Sequence, residues 1–98
     1  MPLKNNIIIK ASAKADLEEI YLYSFNEFGL KKTEKYIKDI DLSFKKLSQN
    51  YQLGKIYHYR KGYRFFKVAS HIIFYRISIN RILIIRILHK SMNYEKHL

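Results

Sequence analysis

The stretch GYRFFKVASHIIFYRISINRILIIRILH, residues 62–89, decides the fold predicted for this 98-residue chain. It contains three runs rich in β-branched and aromatic residues, at 62–69, 71–77 and 81–89. Short links around Ser70 and at 78–80 separate these runs. Three such runs with tight links predict consecutive antiparallel strands. The last two runs are apolar on both faces, so we expect them to lie centrally in the sheet.

The residues upstream follow a helical pattern instead. Apolar side chains recur every three or four positions over residues 13–28 and again over residues 31–47, which predicts two helices with core-facing stripes. Ser12 is a suitable N-cap for the first helix. Only Gly29 and Leu30 separate the two helices, so they are expected to form an antiparallel αα-hairpin.

Shorter segments complete the predicted order of elements. Residues 5–11, NNIIIKA, are typical of a short first strand. Residues 48–56 predict a loop, residues 57–60 the start of a strand, and residues 93–98 a short helical turn. The order β-αα-βββ predicts a two-layer α+β fold, in which an α-helical hairpin covers one face of an antiparallel sheet. At this length we expect a single domain, residues 1–98.

Charge is divided unevenly along the chain, whose net charge is +11. Residues 1–50 carry nine Lys and seven acidic residues, whereas residues 51–98 carry ten Lys or Arg and only one acid, Glu95. A one-sided basic half usually faces something acidic, such as nucleic acid, a nucleic-acid enzyme or an acidic protein. The alternative is solvated surface charge without a partner.

Several classes of site and location are excluded by composition and spacing. The chain has no cysteine, its four histidines lack metal-ligand spacing, and its three glycines are isolated, so we expect no disulfide, metal site or cofactor. The apolar run near the N-terminus is too short for a signal-peptide core or a membrane span. We therefore expect a cytoplasmic protein that makes no membrane contact.

The candidate functional residues lie in the basic half and in the last thirteen residues. The target-binding candidates are Arg60, Lys61, Arg64, Arg86, His89 and Met92. Cleavage of RNA through its own 2′-hydroxyl would need a base, a cation and an acid, for which the candidates are His89, Arg86 and Arg64. Carboxylate bases are scarce here, so binding is favoured over catalysis. The structural alternatives are that His89 fixes the turn after its strand and that Arg86 is a paired edge residue.

The sequence also resembles a known group of proteins, the ParE branch of the RelE/ParE toxin superfamily. The resemblance covers nearly the whole chain. It is carried by Ala15, Asp16, Leu17, Ile20, Tyr21, Gly29, Gly62–Arg64, SHIIFYR at 70–76 and, above all, RILHKSMNYEKHL at 86–98. These proteins are the toxins of bacterial type II toxin–antitoxin modules, and their fold matches the order of elements predicted above.

The resemblance implies a function and partners. It implies a toxin that poisons DNA gyrase, blocks replication and is neutralised by a ParD-like antitoxin, with which it forms a hetero-oligomer. One alternative is a RelE-like endonuclease that cuts messenger RNA on the ribosome. Ile72 stands where many such nucleases carry an arginine, which favours the gyrase interpretation. Another alternative is an inactive relic that only binds its antitoxin.

Overall fold

A computed structural model describes residues 6–98 as two helices packed on one five-stranded sheet. The elements, in chain order, are β1 Ile7–Ile9, α1 Ala11–Phe28, α2 Leu30–Gln49, β2 Lys55–Ile56, β3 Tyr63–Val68, β4 His71–Ser78, β5 Arg81–His89 and a 3₁₀ turn at Tyr94–Lys96. Asn5, which the sequence placed in the first strand, lies outside the described residues. The predicted two-layer α+β fold is confirmed.

The sheet is mixed rather than wholly antiparallel. Its strand order is β1-β5-β4-β3-β2. The predicted meander of β3, β4 and β5 is antiparallel, whereas β1 pairs parallel to β5, with Ile7 opposite Ile82. A parallel neighbour needs a long crossover, which the helical hairpin and the meander provide together. Residues 55–56, within the predicted loop, form β2, while residues 57–60 form a turn and no strand.

The helical hairpin turns at one residue. Gly29 has φ +85° and ψ 177°, a conformation available essentially to glycine, and it ends α1 and begins α2. Ser12 does not cap α1, which begins at Ala11, two residues earlier than predicted, and has Lys10 at the N-cap position. The Ser12 hydroxyl instead donates to the carbonyl of Ile85 in β5. Thr33 closes the turn, because its hydroxyl donates to the Gly29 carbonyl at 2.8 Å.

Both faces of the sheet carry apolar clusters. The helix-covered face buries mainly aliphatic side chains: Ile40, Leu47, Ile73, Tyr75, Ile82, Ile84 and Ile87. The opposite face, called here the open face, buries Tyr57, Ile72, Phe74 and Leu88 beneath Tyr94 and Leu98. Residues 90–98, called here the tail segment, therefore cover part of the open face. This double burial agrees with the central position predicted for β4 and β5.

A β-bulge in β5 changes the direction of its side chains. Phe74 pairs with Arg86 and Tyr75 pairs with Ile84, so Ile85 has no partner of its own in β4. The extra residue turns the strand locally. Arg86 also lies beyond Ile84, the last residue of β5 that pairs with β1, so it is at the edge of the sheet next to α1. In the described part of the chain, no helix is long and apolar enough to cross a membrane.

Candidate functional site

A groove lies between α1 and the ends of β4 and β5. It consists of two adjoining cavities of about 360 and 390 Å³, which share Ile20, Tyr23, His71 and His89. Other residues that line the groove are Asp16, Glu19, Ser24, Phe28, Lys32, Tyr36, Ser70, Ile87 and Met92. We call this depression the hairpin groove, because the tip of the helical hairpin forms one wall.

Two histidines form much of the floor of the hairpin groove. His71 and His89 pair across β4 and β5, and their rings are perpendicular with centroids 5.3 Å apart. Nδ1 of His71 lies 2.6 Å from the Tyr36 hydroxyl, which also lies 3.1 Å from the carbonyl oxygen of Val68. Burial, followed by the neighbouring His89, lowers the pKa of His71 below its usual 6.5. Burial likewise raises the pKa of Tyr36, so this part of the floor is uncharged at neutral pH.

His89 fixes the turn that follows β5. Its Nδ1 accepts a hydrogen bond from the backbone N–H of Ser91 at 3.1 Å and lies 2.7 Å from the Ser91 hydroxyl. Its carbonyl accepts from the N–H of Met92. These contacts assign the proton of the neutral ring to Nε2. Only Nε2 is thus left to meet a ligand, while Nδ1 serves the turn.

Arg86 is held by a carboxylate of α1. Its Nε and one terminal nitrogen each donate to Asp16 at 2.8 Å, a bidentate pair. The same carboxylate accepts from the backbone N–H of Ile87 at 2.8 Å. β1 pairs with only three residues of β5. Where β1 has ended, the Asp16 carboxylate takes the place of a neighbouring strand and accepts the hydrogen bond of the Ile87 N–H. The hydrogen bond to Asp16 raises the pKa of Arg86, which therefore stays charged.

Three side chains fasten the tail segment to the open face. Arg86 donates to the carbonyl of His97 at 2.9 Å, and Arg60 donates to the backbone oxygen of Leu98 at 2.7 Å. The Tyr57 hydroxyl donates to Glu95 at 2.8 Å. Burial, followed by the hydrogen bond to Glu95, raises the pKa of Tyr57 to about 12, so the phenol remains a donor. Glu95, the one acid in the second half of the chain, is thus engaged.

The predicted basic residues divide between the two faces of the sheet. Arg60 lies beside Tyr63 on the open face. Arg64 follows Tyr63 in β3 and so points to the helix-covered face, where it donates to the carbonyl of Gly54. Lys61 is exposed in the turn between them. His89 and Met92 lie far from this end of the sheet, in the hairpin groove.

The structure therefore does not bring the six predicted target-binding residues together. It places Arg60 and Lys61 at one end of the sheet and His89 and Met92 at the other, with Arg86 at the edge. Among the groove residues, sequence reasoning passed over Tyr23 and Tyr36 as functional candidates. Tyr23 could have been predicted as a candidate, because α1 carries apolar residues on its outer side as well as on its core-facing side.

The second half of α1 exposes many large apolar side chains. They are Tyr21, Leu22, Tyr23, Phe25 and Phe28, with Leu30 at the start of α2. A helix that is apolar all round is normally buried, and a contiguous exposed patch marks an interaction site. The patch continues into the hairpin groove through Tyr23 and Phe28.

The comparisons with known proteins agree with the sequence pattern. A family model described as "ParE toxin of type II toxin-antitoxin system, parDE" matches residues 7–94. The chain belongs to the ParE toxin family. It is 36% identical over 87 residues to Toxin ParE1 of Caulobacter vibrioides, which covers 88% of this chain and 90% of that protein. It is 26% identical over 98 residues to Toxin ParE1 of Mycobacterium tuberculosis, and this match covers 98% of this chain and 100% of that protein.

A solved structure is similar as well. The "Chromosomal ParDE TA system from P. aeruginosa" contains a chain with a TM-score of 0.76 and 25% identity. The match covers 86% of this chain and 94% of that chain. Membership of the ParE toxin family confirms the resemblance noted from the sequence, and it makes this protein a toxin of the type II toxin–antitoxin class.

Proposed function

We propose that this ParE-family toxin binds and poisons DNA gyrase in the cytoplasm, and does not cleave RNA. The observation that supports the proposal is the engagement of the groups that cleavage would use. Arg86 is paired with a carboxylate, Nδ1 of His89 serves a turn, and Glu95 accepts from a phenol. His89 faces the hairpin groove, whereas Glu95 lies over the open face. A base, a cation and an acid must surround one phosphate for cleavage.

A pair of assays with the purified toxin tests this proposal. We expect the toxin to inhibit supercoiling by purified gyrase and to leave messenger RNA on translating ribosomes intact. The control is the same toxin mixed beforehand with its antitoxin, which should restore supercoiling. The proposal is wrong if gyrase is unaffected at a large excess of toxin while the message is cut, and His89→Ala should then abolish the cutting.

A third outcome would support the relic interpretation. In that case the protein would bind its antitoxin, yet it would leave both gyrase and messenger RNA unaffected. Expression of the toxin without growth arrest would agree with that result. The three candidate functions therefore give three different combinations of results in the same two assays.

We further propose that a ParD-like antitoxin covers the hairpin groove and the exposed apolar patch of α1. Three features support this partner. The patch exposes five large apolar side chains of α1, and the part of the groove floor formed by Tyr36 and His71 is uncharged and suits apolar anchors. The toxin is strongly basic, so an acidic segment would be steered to it and captured quickly. Apolar anchors in the groove would then slow its release.

Tyr23 provides a direct test of this docking surface. It lines both cavities of the groove and is 65% exposed, so Tyr23→Ala should leave the fold intact. We expect its affinity for the purified antitoxin to fall about tenfold, or about 1.4 kcal/mol, because aromatic anchors dominate interfaces. Calorimetric titration measures this change. The matched control is Leu42→Ala, an apolar residue of α2 that is 43% exposed and lies outside the groove. Equal affinities for the two variants would contradict the proposed docking surface.

A further inference from the structure

The end of the sheet opposite the hairpin groove carries a group of ordered arginines. Tyr63 in β3 pairs directly with Arg76 in β4, so both side chains lie on the open face. The Arg76 guanidinium lies 5.5 Å from the centre of the Tyr63 ring, and the Arg60 guanidinium lies 5.3 Å from it. Two cations thus share one aromatic ring. Arg81, at the start of β5, adds a third positive charge at the same end of the sheet.

No acidic side chain among residues 6–98 pairs with Arg60, Arg76 or Arg81. The ion pairs in the described part of the chain are Lys35–Asp39, Lys45–Asp41 and Arg86–Asp16. The side chain of Arg76 is exposed and makes no hydrogen bond within residues 6–98, whereas that of Arg60 is positioned by the backbone oxygen of Leu98. Like charges held close together without an anion repel one another, so their arrangement favours an external anion.

Backbone geometry keeps this site open. Gly62 has φ +83°, a conformation that favours glycine. A Cβ at this position would be in van der Waals contact with the Arg76 guanidinium, 3.4 Å from a terminal nitrogen. Glycine therefore leaves this side of the guanidinium without a side chain against it.

We propose that Arg60, Tyr63 and Arg76 bind the phosphate backbone of DNA, so that the toxin contacts the DNA held by gyrase as well as the enzyme. This inference rests on the proposed function. Guanidinium groups match phosphate oxygens with two parallel hydrogen bonds. The Tyr63 ring orders both guanidiniums, so less side-chain entropy is lost when the phosphate binds. An acidic protein segment is the competing ligand, because a carboxylate also fits a guanidinium.

Direct binding to a short DNA duplex tests the proposal in the absence of gyrase. Fluorescence anisotropy would measure the affinity between about 50 and 200 mM salt, because each phosphate contact adds about 0.9 to the slope of log affinity against log salt. We expect Arg76→Ala to weaken binding about tenfold and to lower that slope by about one. Arg76→Lys should have an intermediate effect, since it keeps the charge and loses the planar fork.

The matched control is Lys35→Ala, which removes the same charge from an α2 side chain that is 79% exposed. We expect its affinity for DNA to stay within about twofold of the wild type. The proposal is overturned if Arg76→Ala and Lys35→Ala bind DNA equally well, or if the wild type binds no DNA at the lowest salt. It is also overturned if Arg76→Ala loses affinity for the antitoxin and keeps its affinity for DNA.

The DNA-binding measurement and the gyrase supercoiling assay can give opposite outcomes, so they test the two proposals separately. A toxin that inhibits supercoiling without binding DNA would overturn this inference and leave the proposed function standing. A toxin that binds DNA through Arg76 and leaves supercoiling untouched would overturn the proposed function alone.

Discussion

Replacement of Asp16 by alanine is expected to lower the free energy of unfolding by about 3 kcal/mol, since breaking a buried ion pair leaves its partner uncompensated. The Asp16 side chain is only 9% exposed and that of Arg86 is 22% exposed. The variant loses both hydrogen bonds to Arg86 and the one from the Ile87 N–H. A urea titration followed by circular dichroism measures the loss.

Two variants separate the ion pair from a general effect of losing an acid. Asp39→Ala removes an exposed carboxylate that pairs with Lys35 along α2, and we expect a cost of less than about 0.5 kcal/mol. The double variant Asp16→Ala/Arg86→Met should recover part of the stability, because neither charge is then left unpaired. If Asp16→Ala were no more costly than Asp39→Ala, Asp16 would not hold α1 to the sheet edge.

Gly54→Ala should be the second most damaging substitution, at about 2.5 kcal/mol. A Cβ on Gly54 would lie 2.6 Å from the Tyr75 hydroxyl and 2.7 Å from the carbonyl oxygen of Phe65. The backbone of β3 cannot move aside easily. The Gly54 N–H also donates to the Tyr75 hydroxyl, which itself donates to the carbonyl of Tyr51. Any shift therefore breaks a buried hydrogen-bond chain.

The matched control for this substitution is Gln52→Ala in the same loop. The Gln52 side chain is exposed, and only its backbone N–H bonds to Asn50, so we expect a change within about 0.5 kcal/mol. Thermal unfolding of both variants measures the difference. Similar melting temperatures for the two would show that the loop yields to the added methyl group and that the close approach is not required.

Local patterns were enough to predict the order of the main elements and most of the helix positions. The helical period of α1 and α2 and the short link predicted at Gly29 and Leu30 are properties of short windows of sequence; in the structure Gly29 alone forms the link. The pairing of β1 could not be predicted, because strand propensity carries no information about the partner or its direction. The N-cap prediction at Ser12 was wrong, because its hydroxyl found a carbonyl in β5 instead.

The site was harder to predict than the fold. Arg86 was a candidate for target binding because its charge stood among apolar residues. Its partner Asp16 lies 70 positions away, and a bulge at Ile85 sets the direction of the side chain. Neither the pairing with Asp16 nor the bulge can be predicted from the sequence around Arg86. The grouping of Arg60 with Arg76 around one ring likewise depends on strand register, which was not predicted. The target-binding role of the six residues stays a prediction.

The parallel pairing of the first strand with the last has a consequence for how this toxin is made. Ile7 is translated early, yet its hydrogen-bonding neighbour is Ile82. Contacts between such distant positions slow folding, because a long loop must close before they form. The helical hairpin can form during translation, but the sheet cannot close until β5 has been synthesised. The toxin should therefore become harmful only after its synthesis is complete, which gives an antitoxin already in the cell time to bind it.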